Sequence, residues 1–575
     1  MTTTPARRRV PRLLLALLAP VLFLGALELG LALAGVHAPR YDGLGDPGNY
    51  WIPWQGPGRP AGYDRFFPRL YKQFPEELPL FVADKPANGW RVFVMGESSV
   101  KGLPYETGCF CDWLRLRCAA MLPDRAVEVV NAGNAGWHAT DIRLLLQESL
   151  QHQPDLIVWM VGHNEFVPHN VLGLRAEVLT PVRHALGEAL GGLRTTAWLT
   201  SHLASLERTR PVMFATKHSD EEPSFGPELP LLRERFREET AGAVADARAA
   251  GVPIVLCTMP RNIRDWPPAT SFYSDALRRD PALRARWDAA YGRGQSALDA
   301  GHGATALAAL REAAAIDATP AKLHFALARA LAVTGEPEAA REEYLQSLAQ
   351  DGGPMRAQDW VQEAIRGVAH ESRTPLVDLQ ALFDERAPLH VAGKELISDN
   401  CHPNLAGHEL IASAVLDVLE RDLHVPFDRS RDIGPGKGRE ALHITDYQTQ
   451  LVRQAECLNL VKLALMAGAV NETWKQAHEA CLTVLAADGQ AWEVVGGLGL
   501  LEAIDGNAEK ARALIQKAMD GNAYVQTSYV FFWKTEETYR KVFADAGLDM
   551  ATAYAALEPA KKLQIENRIF HATTR

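Results

Sequence analysis

The chain has 575 residues, 47% of them hydrophobic and 23% charged, and carries a formal net charge of −10. That length predicts about three or four domains. The composition is that of a folded globular chain, and its acidic balance, with no long basic run beyond the N-terminus, argues against a general nucleic-acid binder.

The first element is a basic tail, residues 1–12, with Arg7, Arg8, Arg9 and Arg12. An apolar run of about 24 residues, 13–36, follows and is long enough to cross a bilayer of roughly 30 Å hydrocarbon thickness as a helix. Positive charge before the span favours a cytoplasmic N-terminus and an extracytoplasmic remainder. Glu28 lies inside the run, at a cost of a few kcal/mol. Ala32-Leu33-Ala34 matches the small-residue pattern of a signal-peptide cleavage site. The run exceeds the usual signal-peptide core, so an uncleaved anchor is the expectation and a cleaved signal the alternative. Both send the rest of the chain out of the cytoplasm. Residues 37–89 are rich in Pro, Gly and aromatics, including Trp51, Trp54, Phe66 and Phe67. They are expected to form an irregular stalk packed on the first domain, because free linkers seldom carry so many aromatics.

Four short apolar runs then read as strands: 91–95, 126–130, 155–161 and 252–257. They lack polar alternation, which predicts burial on both faces. Helical stretches lie between them, at 112–121 and 139–151. Alternating strands and helices predict a doubly wound parallel sheet, whose ligands bind beyond the carboxyl ends of the strands. From 284 to about 350 the pattern turns wholly helical, and its spacing of small and large apolar residues resembles tetratricopeptide repeats. A further strand-like run, 375–379, resumes the α/β domain, followed by a helix from about Asn404. After about 435 the chain is helical again. The seven cysteines, Cys109, Cys111, Cys118, Cys257, Cys401, Cys457 and Cys481, include no CxxC pair. A zinc framework is therefore not expected. One disulfide among Cys109, Cys111 and Cys118, or a set of buried thiols, remains open.

Four blocks carry the chemistry: Gly96-Glu97-Ser98-Ser99, Asn131-Ala132-Gly133-Asn134-Ala135-Gly136, Gly162-His163-Asn164-Glu165 and Asp399-Asn400-Cys401-His402. The first three follow predicted strands. A serine hydroxyl is a weak nucleophile and needs a base within hydrogen-bond reach. Asp399 and His402 lie three residues apart, so the carboxylate can fix the imidazole tautomer while His402 serves as base towards Ser98. Backbone N–H groups at a tight glycine turn, and the Asn164 amide, can face developing negative charge. Taken singly, each block has a dull explanation as a cap or turn. Four of them in one consistent order point to a single site.

The blocks resemble the signature of the SGNH, or GDSL-like, hydrolase superfamily, whose Ser, Gly, Asn and His fall here on Ser98, Gly136, Asn164 and His402. The resemblance covers roughly residues 90–151, 153–268 and 374–423. It implies a flavodoxin-like three-layer α/β/α domain and a Ser98–His402–Asp399 triad. It also implies an oxyanion hole of Ser98, Gly136 and Asn164. Glu97 stands where the family has Asp, Ser99 where it has Leu, and Glu165 where it has Asp; these departures bear on substrate more than on activity. His163 and Glu165 flank the site, and His408 is a minor alternative base. Arg261, Asn262 and Arg264 are candidate substrate contacts, with surface or salt-bridge roles favoured, and His138 reads as a loop residue.

The expected organisation is a basic tail 1–12, a transmembrane signal-anchor 13–36 and a stalk 37–89. The hydrolase domain spans 90–283 and 354–434, interrupted by tetratricopeptide-like helices 284–353, and a C-terminal helical repeat-like domain fills 435–575. The expected function is an extracytoplasmic esterase or acyl (acetyl) transferase, with polysaccharide O-acetyl groups, a lipid or a small ester as substrate. No metal or organic cofactor is implied. The competing reading is an inert scaffold whose repeats bind a protein partner.

Overall fold

The computed structural model describes residues 51–53, 65–68, 81–82, 84–105, 107–166, 229–467, 473–562 and 565. The expected span 13–36 lies outside the described residues. Among the described residues no helix is long and apolar enough to cross a membrane.

The expected irregular stalk contributes three short strands: β1 (Trp51–Pro53), β2 (Arg65–Pro68) and β3 (Phe81–Val82), antiparallel in the order β1-β2-β3. Strands this short carry too few residues for a period of two to emerge from the sequence. The ribbon is sewn onto the domain that follows. Trp51 donates its backbone N–H to Glu148 (2.8 Å) and its indole N–H to Ser149 Oγ (2.8 Å), and its ring meets Phe81 and Phe93 edge-on.

The central sheet holds β4 (Gly89–Gly96), β5 (Ala126–Gly133), β6 (Leu156–Met160), β7 (Ile254–Cys257) and β8 (Leu376–Val377). All pairs are parallel, and the spatial order is β5-β4-β6-β7-β8. Its central strands are buried throughout, with Val92, Phe93, Val94 and Met95 on β4 and all of β6 inaccessible. This is why neither strand alternates in sequence. The order is the flavodoxin-like 2-1-3-4-5 arrangement.

Helices α1 (Ser98–Lys101), α2 (Phe110–Met121), α3 (Ala139–Ser149) and α4 (Leu229–Ala249) fall between the first four strands. β5 lies to one side of β4 and β6 to the other. Right-handed crossovers therefore place α2 and α3 on opposite faces. Helices α5 (Asp275–Arg279), α6 (Pro281–Asp299), α7 (Gly303–Ile316), α8 (Ala321–Thr334) and α9 (Pro337–Ala349) form the insert, around a core that includes Trp287, Leu310, Leu323 and Leu331. The domain resumes with α10 (Asp359–Ser372), α11 (Leu379–Arg386) and α12 (Leu405–Leu423). α12 packs on α2, while α10 and α3 pack on α4, which completes three layers.

Among the described residues eight helices follow: α13 (Gly434–Ala441), α14 (Asp446–Ala467), α15 (Thr473–Ala487), α16 (Trp492–Ile504), α17 (Ala508–Gly521), α18 (Ala523–Thr535), α19 (Glu537–Asp545) and α20 (Met550–Ala556). Helices α14 to α20 share a second core that also buries Trp266 from the α/β domain. All seven cysteines are buried free thiols, so the open disulfide at 109–118 is not formed. Cys457 on α14 and Cys481 on α15 bring their sulfurs to 2.9 Å.

Arg91 anchors the amino end of the sheet. Its guanidinium is buried and donates to Glu128 (2.8 Å), the His152 carbonyl (2.7 Å) and the Val82 carbonyl (2.7 Å). One side chain thus binds the ribbon, two strands and the α3 exit. Arg91→Ala leaves these acceptors unpaired, and an expected loss of about 3 kcal/mol appears as a lower thermal unfolding midpoint.

Candidate active site

The order of the sheet reverses between β4 and β6, so a crevice opens at the carboxyl ends of those two strands. Block one leaves β4 there and block three leaves β6. Gly96 makes the exit from β4 tight: a Cβ at this position would collide with the Met160 carbonyl and with Val100. Glu97 is the N-cap of α1 and Ser98 its first residue, with Lys101 N–H donating to the Glu97 carbonyl at 2.9 Å.

Glu97 performs a task the sequence did not disclose. Its carboxylate is fully buried and accepts three backbone N–H groups, from Gly162 (2.9 Å), His163 (2.9 Å) and Asn164 (3.2 Å). Burial pushes it up to about 7 against the pull of these three donors. Glu97, the residue before Ser98, therefore clamps block three to block one. Asn164 is held at its other end too, because its Nδ2 donates to the Trp137 carbonyl at 2.9 Å. Trp137 follows Gly136, whose φ of 80° is in the left-handed region that favours glycine. Asn134 N–H donates to the Gly96 carbonyl at 3.0 Å and so joins block two to block one.

Block four reaches the same crevice from the far end of the domain. Ile397 and Pro403 pair across a short loop, and Asn404 caps α12 through a bond from Gly407 N–H at 3.0 Å. Within the loop, Asp399 Oδ1 accepts the backbone N–H groups of Cys401 (2.9 Å) and His402 (2.8 Å). His402 Nδ1 lies 2.6 Å from Asp399 Oδ2, and His402 Nε2 lies 2.7 Å from Ser98 Oγ. A carboxylate only accepts, so Nδ1 carries the proton and Nε2 is left to accept from the serine. Asp399 is 1% exposed and Ser98 9%. A second donor to Asp399 Oδ2, Asn459 Nδ2 at 2.6 Å, comes from α14. No sequence signal marked Asn459, which sits between two leucines in mid-helix, 60 residues beyond Asp399.

Burial lowers the proton affinity of His402, but the Asp399 charge and the hydrogen bond to it prevail, leaving it well above the usual imidazole range. In the expected role of general base, His402 works only when neutral. kcat/KM is therefore expected to fall as pH drops, with a half-point above 6.5, the ordinary histidine value. A profile flat from pH 6 to 9 would remove His402 from the base role.

The neighbours have structural partners. His163 Nδ1 accepts from Ala357 N–H (3.1 Å), and burial drives its pKa down to about 3. Glu165 accepts from Ala139 N–H (2.9 Å) at the start of α3, and burial followed by the Glu97 charge raises it to about 8. His138 caps that same helix. His408 accepts from Phe110 N–H (3.3 Å) and stacks on its ring. Arg261 is buried on the Ala357 carbonyl and Asp359, Arg264 binds Asp265 and Glu395, and Asn262 caps a turn at Asp265. Asp399, Cys401 and His402 form the one group with metal-ligand spacing among the described residues. Its carboxylate and imidazole are engaged with each other, and burial keeps Cys401 a thiol.

No protein-family model matches the chain, and no curated protein sequence matches it. Among solved structures it is similar to an α/β hydrolase enzyme from the metagenome of Lake Arreo, Spain (16% identity, 58% of this chain and 96% of that one, TM-score 0.27). It is also similar to a lipase/acylhydrolase from Enterococcus faecalis (15%, 58% and 95%, TM-score 0.26). A third is a catalytic mutant of an acetylxylan esterase from Geobacillus stearothermophilus (13%, 59% and 96%, TM-score 0.27). At such identities and TM-scores these likenesses leave the chemistry to the geometry of the site.

Proposed function

We propose that this protein is a serine esterase or acyl transferase, with Ser98 as nucleophile, His402 as general base and acid, and Asp399 as its orienting carboxylate. The observation that carries the reading is the continuous relay from Asp399 Oδ2 through His402 to Ser98 Oγ, at 2.6 and 2.7 Å. In the first half-reaction Ser98 Oγ attacks the ester carbonyl while His402 Nε2 takes its proton. The tetrahedral oxyanion is received by the backbone N–H groups of Ser98 and Gly136 and by the Asn164 amide. His402 then returns the proton to the departing alkoxide, leaving an acyl-serine. Water completes hydrolysis by the reverse sequence, and a substrate hydroxyl in its place gives acyl transfer.

Arg7 to Arg12 ahead of the 13–36 apolar run support an extracytoplasmic site tethered at the membrane, where the ester is an acyl group on envelope carbohydrate or lipid. A fluorophosphonate probe tests the reading: the full chain should be labelled, and peptide mass mapping should place the adduct on Ser98. Absence of labelling, together with no hydrolysis of p-nitrophenyl acetate or butyrate, would overturn it in favour of a binding scaffold.

A further inference from the structure

We infer that Asn459 is a positioning residue of the triad, and that the C-terminal helices are therefore part of the catalytic apparatus rather than an appended module. The inference rests on the hydrolase reading above.

Asp399 has two oxygens and four donors. Oδ1 takes two backbone N–H groups from its own loop, which fix that oxygen but leave rotation about the carboxylate plane to be set at Oδ2. Oδ2 takes the imidazole and the Asn459 amide, each at 2.6 Å. Among the described residues, Asn459 thus supplies the one donor to Asp399 that comes from outside its own loop. A bond to a buried charged group is among the stronger kinds.

α14 is placed to deliver it. Near its start Gln448 accepts the Tyr105 hydroxyl at 2.8 Å, and Tyr105 lies seven residues after Ser98. On the partner helix α15, Gln476 donates to the Asp265 carbonyl, next to the buried Trp266. Glu456, one turn before Asn459 and on the same face, is raised to about 7 by burial and then by the Asp399 charge. Cys457 is two residues from Asn459, about 200° around the helix, and meets Cys481 of α15 on the far side. The helix is therefore held from behind while its front presents an amide to the catalytic carboxylate.

The amide has an electrostatic effect as well as a geometric one. An N–H on Oδ2 draws off part of the negative charge that stabilises the His402 imidazolium. Removing it should raise the proton affinity of His402 and loosen its orientation. The other titratable groups around the pair are Glu97, His163, Cys401 and His408 from the α/β domain and Glu456 from α14, with Arg261 as the nearby fixed cation.

The test is steady-state hydrolysis of p-nitrophenyl acetate against pH by the full chain, with thermal midpoints measured alongside. Asn459→Ala should lower kcat about 10–100-fold, the range for losing a hydrogen bond to a charged group, change KM little, and move the acid limb of kcat/KM to higher pH. Asn459→Asp keeps the size but sets an anion against Asp399, and should move that limb further. Lys510→Ala, which cuts only the 2.6 Å contact to Glu502 within the C-terminal helices, should lower the midpoint while leaving kcat and the acid limb in place. Should Asn459→Ala not fold, Asn459→Asp decides by the same criteria. An active wild type whose Asn459 variants keep the wild-type kcat and acid limb, or change only in midpoint as Lys510→Ala does, overturns the positioning role alone. A wild type without Ser98-dependent hydrolysis overturns the hydrolase reading and this inference with it.

Discussion

Ser98→Ala is expected to lower kcat on a model acetyl ester by on the order of 10⁵–10⁶-fold, and His402→Ala by a similar factor. Without Oγ no acyl-serine forms. Without the imidazole 2.7 Å away, Oγ keeps its proton and remains a poor nucleophile. The two residues act on one step, so the double variant should be no slower than the worse single one. Steady-state kinetics on the four proteins check this, with circular dichroism to show that each is folded. Multiplying losses would mean that the two residues serve separate steps. An unaltered rate in Ser98→Ala would move the chemistry elsewhere.

Asn164→Ala is expected to lower kcat by about 10²–10³-fold, the effect of losing one oxyanion donor, with little change in KM. The carbonyl oxygen acquires charge only as the tetrahedral state forms, so the donor matters little to ground-state binding. The backbone bond from Asn164 N–H to Glu97 survives this substitution, which confines the change to the side chain. A rise in KM with kcat unchanged would reassign Asn164 to substrate binding.

The contrast between Asn164 and Glu97 shows how far the sequence could be read. The strands were legible because β4 and β6 are buried on both faces and so form uninterrupted apolar runs. The four blocks were legible because they follow strand ends or stand in an Asp-x-x-His spacing. Glu97 registered only as a departure from the family pattern. Its bonds to three N–H groups 65 to 67 residues away have no local signature. Asn459 left none either, since a half-buried polar residue in mid-helix looks like any solvated position until another domain is packed against it. β1 to β3 escaped because two to four residues cannot establish a period.

The separation between Ser98 and His402 has a consequence in time. They stand 304 positions apart along the chain, and Asn459 lies 57 further on. Synthesis at about 5–20 residues per second delivers the serine on the order of 15–60 s before its imidazole. Through that interval the nascent chain displays Ser98 without His402, and any fragment ending before residue 402 lacks the base that the proposed chemistry needs. On the proposed mechanism, the order of the blocks delays any hydrolysis until synthesis has passed residue 402.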